Sequence, residues 1–354
     1  MNMNNIKKIE LEITSDCNAA CPGCARTLNK DLLKINSFTL QDIKRIFPNK
    51  NFIKGKEFKF CGVLGDPALN QECVDMVDYL TQHGGYCELS TNGAYQTSEW
   101  WSRLGAIAKN YPGKVHIHFC VDGHRETNHI YRVNTKFSVL ERNMQAYSNA
   151  APANSATWIY IVFDHNEYEL DIAKDHAEKL NFQFATRTGM RNSYHDWIAQ
   201  LGKKNNKQEK IITTTGTKEH SKKEVVKELD KFINEYQTNS INETQLKDVL
   251  DSMVCKFIHE GEIFIASDLT LWPCCFLWDS AFKNRENIIE KLSVFEPGWN
   301  SLAEHTIEEI INHPWYTKLL SASWHPAHKQ HLTRCIKTCA KNKAYHNEIN
   351  YVVN

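Results

Sequence analysis

KKIELEITSDCNAACPGCAR, residues 7–26, contains the strand-to-loop transition that sets the fold class. Its first seven residues carry alternating apolar side chains, the period-two pattern of a strand. A loop with Cys17, Cys21 and Cys24 follows directly. Downstream, EFKFCGV (57–63), YCELS (86–90), KVHIHFCV (114–121), ATWIYIVF (156–163) and FQFAT (182–186) read as further strands. Amphipathic stretches over Thr39–Phe47, Gln71–Gln82, Ser98–Lys109, Ser138–Asn149 and Glu167–Leu180 separate them and read as helices. Such alternation predicts a parallel sheet with crossover helices, here a partial (β/α)6 TIM-like barrel. Chemistry in such folds sits at the C-terminal ends of the strands.

The chain has 354 residues, 42% hydrophobic and 24% charged, with Lys+Arg and Asp+Glu equal at 42 each. Zero formal charge argues against a general nucleic-acid or membrane-surface binder. No apolar run is long enough to cross a membrane, and the polar N-terminus lacks a signal-peptide core. The expectation is a cytoplasmic protein whose 12 cysteines are thiols or metal ligands rather than disulfides. Cys61, Cys73, Cys87 and Cys120 are scattered and read as small apolar residues. From about residue 201 to 250 the chain turns rich in Lys, Asn, Thr and Glu, which predicts a linker with polar helices over 222–236 and 243–253. The expected domains are therefore 1–200, a linker over 201–250, and a second cysteine-bearing domain over 251–354.

The first cysteine set has C-x3-C-x2-C spacing directly after a strand. Three thiolates on one short loop can grip three corners of a [4Fe-4S] cube, and with no fourth cysteine nearby one iron stays open. A zinc site, which usually shows paired cysteines and four ligands, fits this spacing less well.

Here the chain resembles the radical S-adenosylmethionine (SAM) superfamily, in several motifs placed in order. Leu64-Gly65-Asp66-Pro67, after the second strand, is similar to the family's Gly-Gly-Glu-Pro stretch at the SAM amino group, with Leu64 and Asp66 as departures. STNG (90–93), with Ser90 and Asn92, is similar to the ribose-side loop. CVDG (120–123) resembles Ser-x-Asp-Gly, with Cys120 in place of Ser. The resemblance implies Asp122 as a ribose acceptor, Arg132 as partner of the SAM carboxylate, and Asn166 at the mouth after strand five. It also implies that Cys17, Cys21 and Cys24 hold the catalytic cluster.

The second cysteine region runs from Cys255 through a hairpin expected around Ser267-Asp268 to Cys274-Cys275, then to Cys335 and Cys339. Its order resembles the Twitch domain, the reduced relative of the SPASM domain. That implies a small β-hairpin/helix domain with one auxiliary [4Fe-4S] cluster on Cys255, Cys274, Cys335 and Cys339. Cys275 stays open as an alternative to Cys274, and zinc as an alternative to iron. The resemblance implies an oxidoreductase or maturase that takes a hydrogen atom from a small molecule or peptide, fed by a reductant such as flavodoxin or ferredoxin. About six residues precede the first strand, which favours a substrate not held by an N-terminal winged-helix domain. The competing classes are an iron–sulfur electron carrier and a nucleic-acid modifier contacting the lysine-rich stretch 203–231.

Overall fold

The computed structural model describes residues 2–187, 243–283, 295–340 and 349–351, with single positions 231, 235 and 288. Most of the helix expected over 222–236 and of the lysine-rich stretch 203–231 lies outside the described residues. The chain divides into two compact units, Leu11–Thr214 with Asn347–Asn354, and Met1–Glu10 with Thr215–His346. The first strand, β1 (Lys8–Leu11), spans the division.

The larger unit is built as strand–helix repeats. A one-turn helix, α1 (Ala25–Leu28), follows the cysteine loop, and α2 (Leu40–Ile46) begins on a capping box between Thr39 and Asp42. Then come β2 (Glu57–Phe60), α3 (Cys73–Gln82), β3 (Tyr86–Thr91), α4 (Ser98–Asn110), β4 (Val115–Cys120), α5 (Phe137–Ala150), β5 (Ala156–Tyr160), α6 (Leu170–Lys179) and β6 (Gln183–Arg187). Strands β2 to β6 pair in chain order and in parallel. A closing strand, β9 (Ile349–Tyr351), runs antiparallel along β6. The fold is mixed α/β with a mostly parallel sheet, as the sequence predicts.

Such a sheet is covered on both faces, and its strands are correspondingly apolar. Every residue of β5 is buried. Phe58, Phe60, Phe119, Trp158 and Tyr160 are fully enclosed. Each large apolar side chain removed from water contributes about 1.5–3 kcal/mol.

Two elements are shorter than their sequence patterns, for side-chain reasons. Strand β5 stops at Tyr160 because the next amide, Ile161 N–H, donates to Asp122 Oδ1 at 2.8 Å instead of to a strand. Helix α6 starts only at Leu170. Before it, Asn166 Oδ1 accepts from Phe163 N–H at 2.7 Å and holds a turn, and Glu167–Glu169 form a single 3-10 turn.

In the smaller unit, α7 (Glu243–Asp251) lies within the expected 243–253. Strands β7 (Glu262–Ile265) and β8 (Leu271–Trp272) pair antiparallel, forming the predicted hairpin. Helices α8 (Cys275–Phe282), α9 (Ile307–Asn312) and α10 (Thr333–Cys339) follow. One core of this unit joins Leu246, Val249 and Met253 to Ile336, Cys339 and Ala340. Among the described residues no helix is long and apolar enough to cross a membrane.

Candidate functional site

None of the twelve cysteines is in a disulfide. Cys17, Cys21 and Cys24 lie together on the loop after β1, in an apolar cluster with Ala19, Tyr131, Ile161 and Phe163. Burial pushes the Cys17 thiol up to about 12, and the Asp66 charge and the other two thiols add to the shift. The loop is tied down on several sides. Ala20 N–H donates to Val133 O at 2.9 Å, Asp66 N–H to Asp16 O at 2.8 Å, and Asn18 Nδ2 to Ala94 O at 3.1 Å. Among the described residues no three His, Cys, Asp or Glu side chains converge as ligands of one metal ion.

Gly65 makes the second of those ties possible. A Cβ there would lie 1.8 Å from Thr14 O, so only glycine lets the loop after β2 close on the cysteine loop. Leu64 N–H beside it donates to the buried Glu12 Oε1 at 2.7 Å.

Asp66 is a hub. Its Oδ1 accepts from Ala68 N–H at 3.0 Å and from the Thr91 hydroxyl at 2.8 Å. Its Oδ2 accepts from both nitrogens of Asn92. Four donors fill the four acceptor positions of one carboxylate. Burial raises the Asp66 carboxyl pKa, against the donors from Asn92, Thr91 and Ala68 and the charge of Arg132, which pull it down. The Asn92 side chain also donates to Asn18 Oδ1 at 2.9 Å and lies 3.8 Å from Cys17 Sγ. Ser90 and Cys120, at the ends of β3 and β4, are half-buried.

A second hub is Asp122, fully buried after β4. Arg132 Nε donates to its Oδ2 at 2.7 Å, and Arg132 Nη1 lies 3.8 Å from Cys21 Sγ. Burial works against the guanidinium charge, and Asp122 with the nearby thiols more than restores it. Asn166 Nδ2 donates to Asp122 O at 3.0 Å and to Ile161 O at 2.9 Å, so its amide is engaged with backbone on both ends. Gly123 follows Asp122 at φ +148, where a Cβ would strike the Thr127 hydroxyl at 2.3 Å. The structure thus brings Gly65, Asp66, Asn92, Asp122 and Arg132 around the three-cysteine loop.

Sequence reasoning missed Glu12, Thr91 and Asn18, which carry this bonding. It also missed Glu169, a buried acceptor for His124 N–H at 2.8 Å and for the Thr127 hydroxyl, and the contact of His124 Nε2 with His176 Nδ1 at 3.0 Å. Thr91 was open to notice inside STNG. Glu12 and Glu169 left no signal, because a carboxylate in an alternating strand or at a helix start normally faces water.

In the smaller unit Cys255, Cys274 and Cys339 lie near enough to act on one another electrostatically. Burial, reinforced by Cys255, pushes the Cys274 thiol up to about 12. Cys275 lies beside Lys256, whose ammonium is also flanked by Glu10 and Glu262. Cys335 packs against the same core that contains Cys339. The two are four residues apart on α10, and so on one helix face.

No family model and no curated protein matches the chain. Among solved structures it is similar to Streptococcus suis SuiB, at 11% identity and TM-score 0.53 over 90% of this chain and 69% of that one. SuiB bound to precursor peptide SuiA is similar at 12% identity and TM-score 0.53, over 90% of this chain and 68% of that one. BtrN in complex with AdoMet and 2-DOIA has 12% identity and TM-score 0.47, over 94% and 92% of the two chains. The chain shares its fold with SuiB.

Proposed function

Given that fold, we propose that the chain is a radical SAM enzyme acting on a small molecule or a peptide. Cys17, Cys21 and Cys24 would hold a [4Fe-4S] cluster with one open iron, and SAM would bind there. The observation that carries this reading is the three-thiol loop itself, enclosed by apolar side chains and buttressed by the loops after β2, β3 and β4. The donor set fits the group: a cube takes each thiolate on a different iron, and the three thiols lie in one apolar cluster. Bound there, the cluster and SAM would supply radical chemistry that removes a hydrogen atom from a C–H bond.

The protein's own residues shape and shield that place. Tyr131, Ile161 and Phe163 pack apolar surface against the thiols. Asp66 fixes Thr91 and Asn92, so the turn after β3 presents Ser90 and Asn92 in one geometry. Gly65 keeps the loop after β2 in backbone contact with the cysteine loop, and Cys120 with Asp122 forms the edge after β4.

For the second cysteine set we propose an auxiliary [4Fe-4S] cluster on Cys255, Cys274, Cys335 and Cys339, in a Twitch-like domain over 251–354 that follows a core over 1–200. It would take an electron from the substrate or help to hold it, with flavodoxin or ferredoxin as reductant of the core. The likeness to SuiB bound to precursor peptide SuiA supports keeping a peptide among the substrates.

Anaerobic reconstitution followed by SAM cleavage tests the reading. The wild-type chain should release 5′-deoxyadenosine under reduction. The Cys17→Ala/Cys21→Ala/Cys24→Ala variant should release none. Release persisting in the triple variant would sink the assignment.

A further inference from the structure

Two thiols of the cysteine loop each face a nitrogen donor, and a buried aspartate holds each donor. Asp66 holds Asn92 toward Cys17, and Asp122 holds Arg132 toward Cys21. The two differ in charge: Asn92 is a neutral amide, whereas Arg132 is a cation that stays protonated at every accessible pH. Its side chain is 17% exposed and Asp122 is 0% exposed, so water screens the pair little.

We propose that Arg132 is a positioning residue for the first cluster: aimed by Asp122, it acts through Cys21 to set how readily the cluster accepts an electron. This rests on the reading that Cys17, Cys21 and Cys24 hold that cluster. Adding an electron makes a thiolate-bound cluster more negative. A fixed cation and an N–H directed at one of its sulfurs stabilise that reduced form and raise the potential. Asp122 offsets part of the charge at long range. It also turns the guanidinium so that its positive edge, not the carboxylate, meets the thiol. The role differs from pairing with the SAM carboxylate, because it operates with no SAM bound.

The test is an EPR-monitored redox titration of the reconstituted full chain without SAM. It follows the cluster whose signal changes when SAM is later added. Arg132→Gln should shift its midpoint negative by at least the equivalent of a tenfold change in the reduction equilibrium, ~59 mV for one electron. Arg132→Gln/Asp122→Asn, which leaves no unpaired buried carboxylate, should shift it the same way, and Arg132→Lys should recover part of the loss. A midpoint equal to wild type together with a tenfold weaker SAM Kd would overturn the proposal and make Arg132 a SAM ligand. If neither the double variant nor Arg132→Lys retains iron, Arg132 is structural and the proposal also falls. If the wild-type chain shows no SAM-sensitive cluster signal at all, the underlying reading of the cysteine loop fails instead.

Discussion

Asn92 meets Asp66 through both of its nitrogens, the backbone amide at 2.7 Å and the side-chain amide at 2.7 Å, on the single oxygen Oδ2. With Thr91 and Ala68 on Oδ1, the carboxylate joins the turn after β3 to the loop after β2. Asp66→Asn replaces one acceptor oxygen by an NH2 group facing buried donors. Unsatisfied buried donors are costly, so the metal-free chain should lose about 3 kcal/mol in urea unfolding. A loss under about 0.5 kcal/mol would show that the carboxylate is not the organiser of these loops.

Gly65→Ala should be among the most damaging small substitutions in the chain. The new methyl would overlap Thr14 O at 1.8 Å, and that oxygen belongs to backbone that cannot swing away. Destabilisation above about 3 kcal/mol is expected, with loss of iron from the first cysteine set. Unfolding midpoints and iron content of the reconstituted variant check both parts.

Acid should weaken the larger unit. His116, His124 and His176 have pKa values held below the ordinary imidazole range, first of all by burial. For His124 the His176 and Arg125 charges add to that, while Glu169 and Glu141 oppose it; for His176, Glu141 opposes and Arg125 and Lys179 add. Between those depressed values and about 6.5 the unfolded chain binds more protons than the folded one. The stability from these groups is present above about pH 6.5 and is lost as pH falls through the folded values. Denaturant midpoints of the metal-free chain at about pH 7.5 and about pH 5.5 should show the drop. The His124→Gln/His176→Gln variant should show a smaller one. An equal drop in both proteins would place the acid sensitivity elsewhere.

Of the two adjacent cysteines in the hairpin region, Cys274 should be the metal ligand. It is grouped with Cys255 and Cys339, which act on one another electrostatically. Cys275→Ala should keep about eight irons per chain after reconstitution, and Cys274→Ala should fall to about four. Zinc in place of the second four irons would mark that site as structural.

Strand and helix placement were legible because each element carries its own periodicity. KVHIHFCV and ATWIYIVF state their burial outright, and the regular strands at Val115–Cys120 and Ala156–Tyr160 fall inside them. The cysteine sets were legible because spacing alone brings Cys17, Cys21 and Cys24 onto one loop. What the aspartates do was not legible. Asp66 and Asp122 stand in the sequence as candidate SAM contacts, and folded their oxygens accept from Asn92, Thr91, Ala68, Arg132 and Ile161. Such pairings join residues up to 39 positions apart, and no local pattern encodes them.

Helix α10 carries a consequence for the order of assembly. It has seven residues, too few to persist alone in water, so its shape depends on Ile336 seating against Leu246 and Val249. Until that happens Cys335 and Cys339 have no fixed separation, and a newly made chain presents scattered thiols rather than a paired grip. Iron delivered early would meet a floppy chelator open to any thiophilic metal. On the proposed auxiliary cluster, iron delivered after the helix has docked would meet two thiols one turn apart, so the timing of metal supply against chain collapse would bear on which metal is kept.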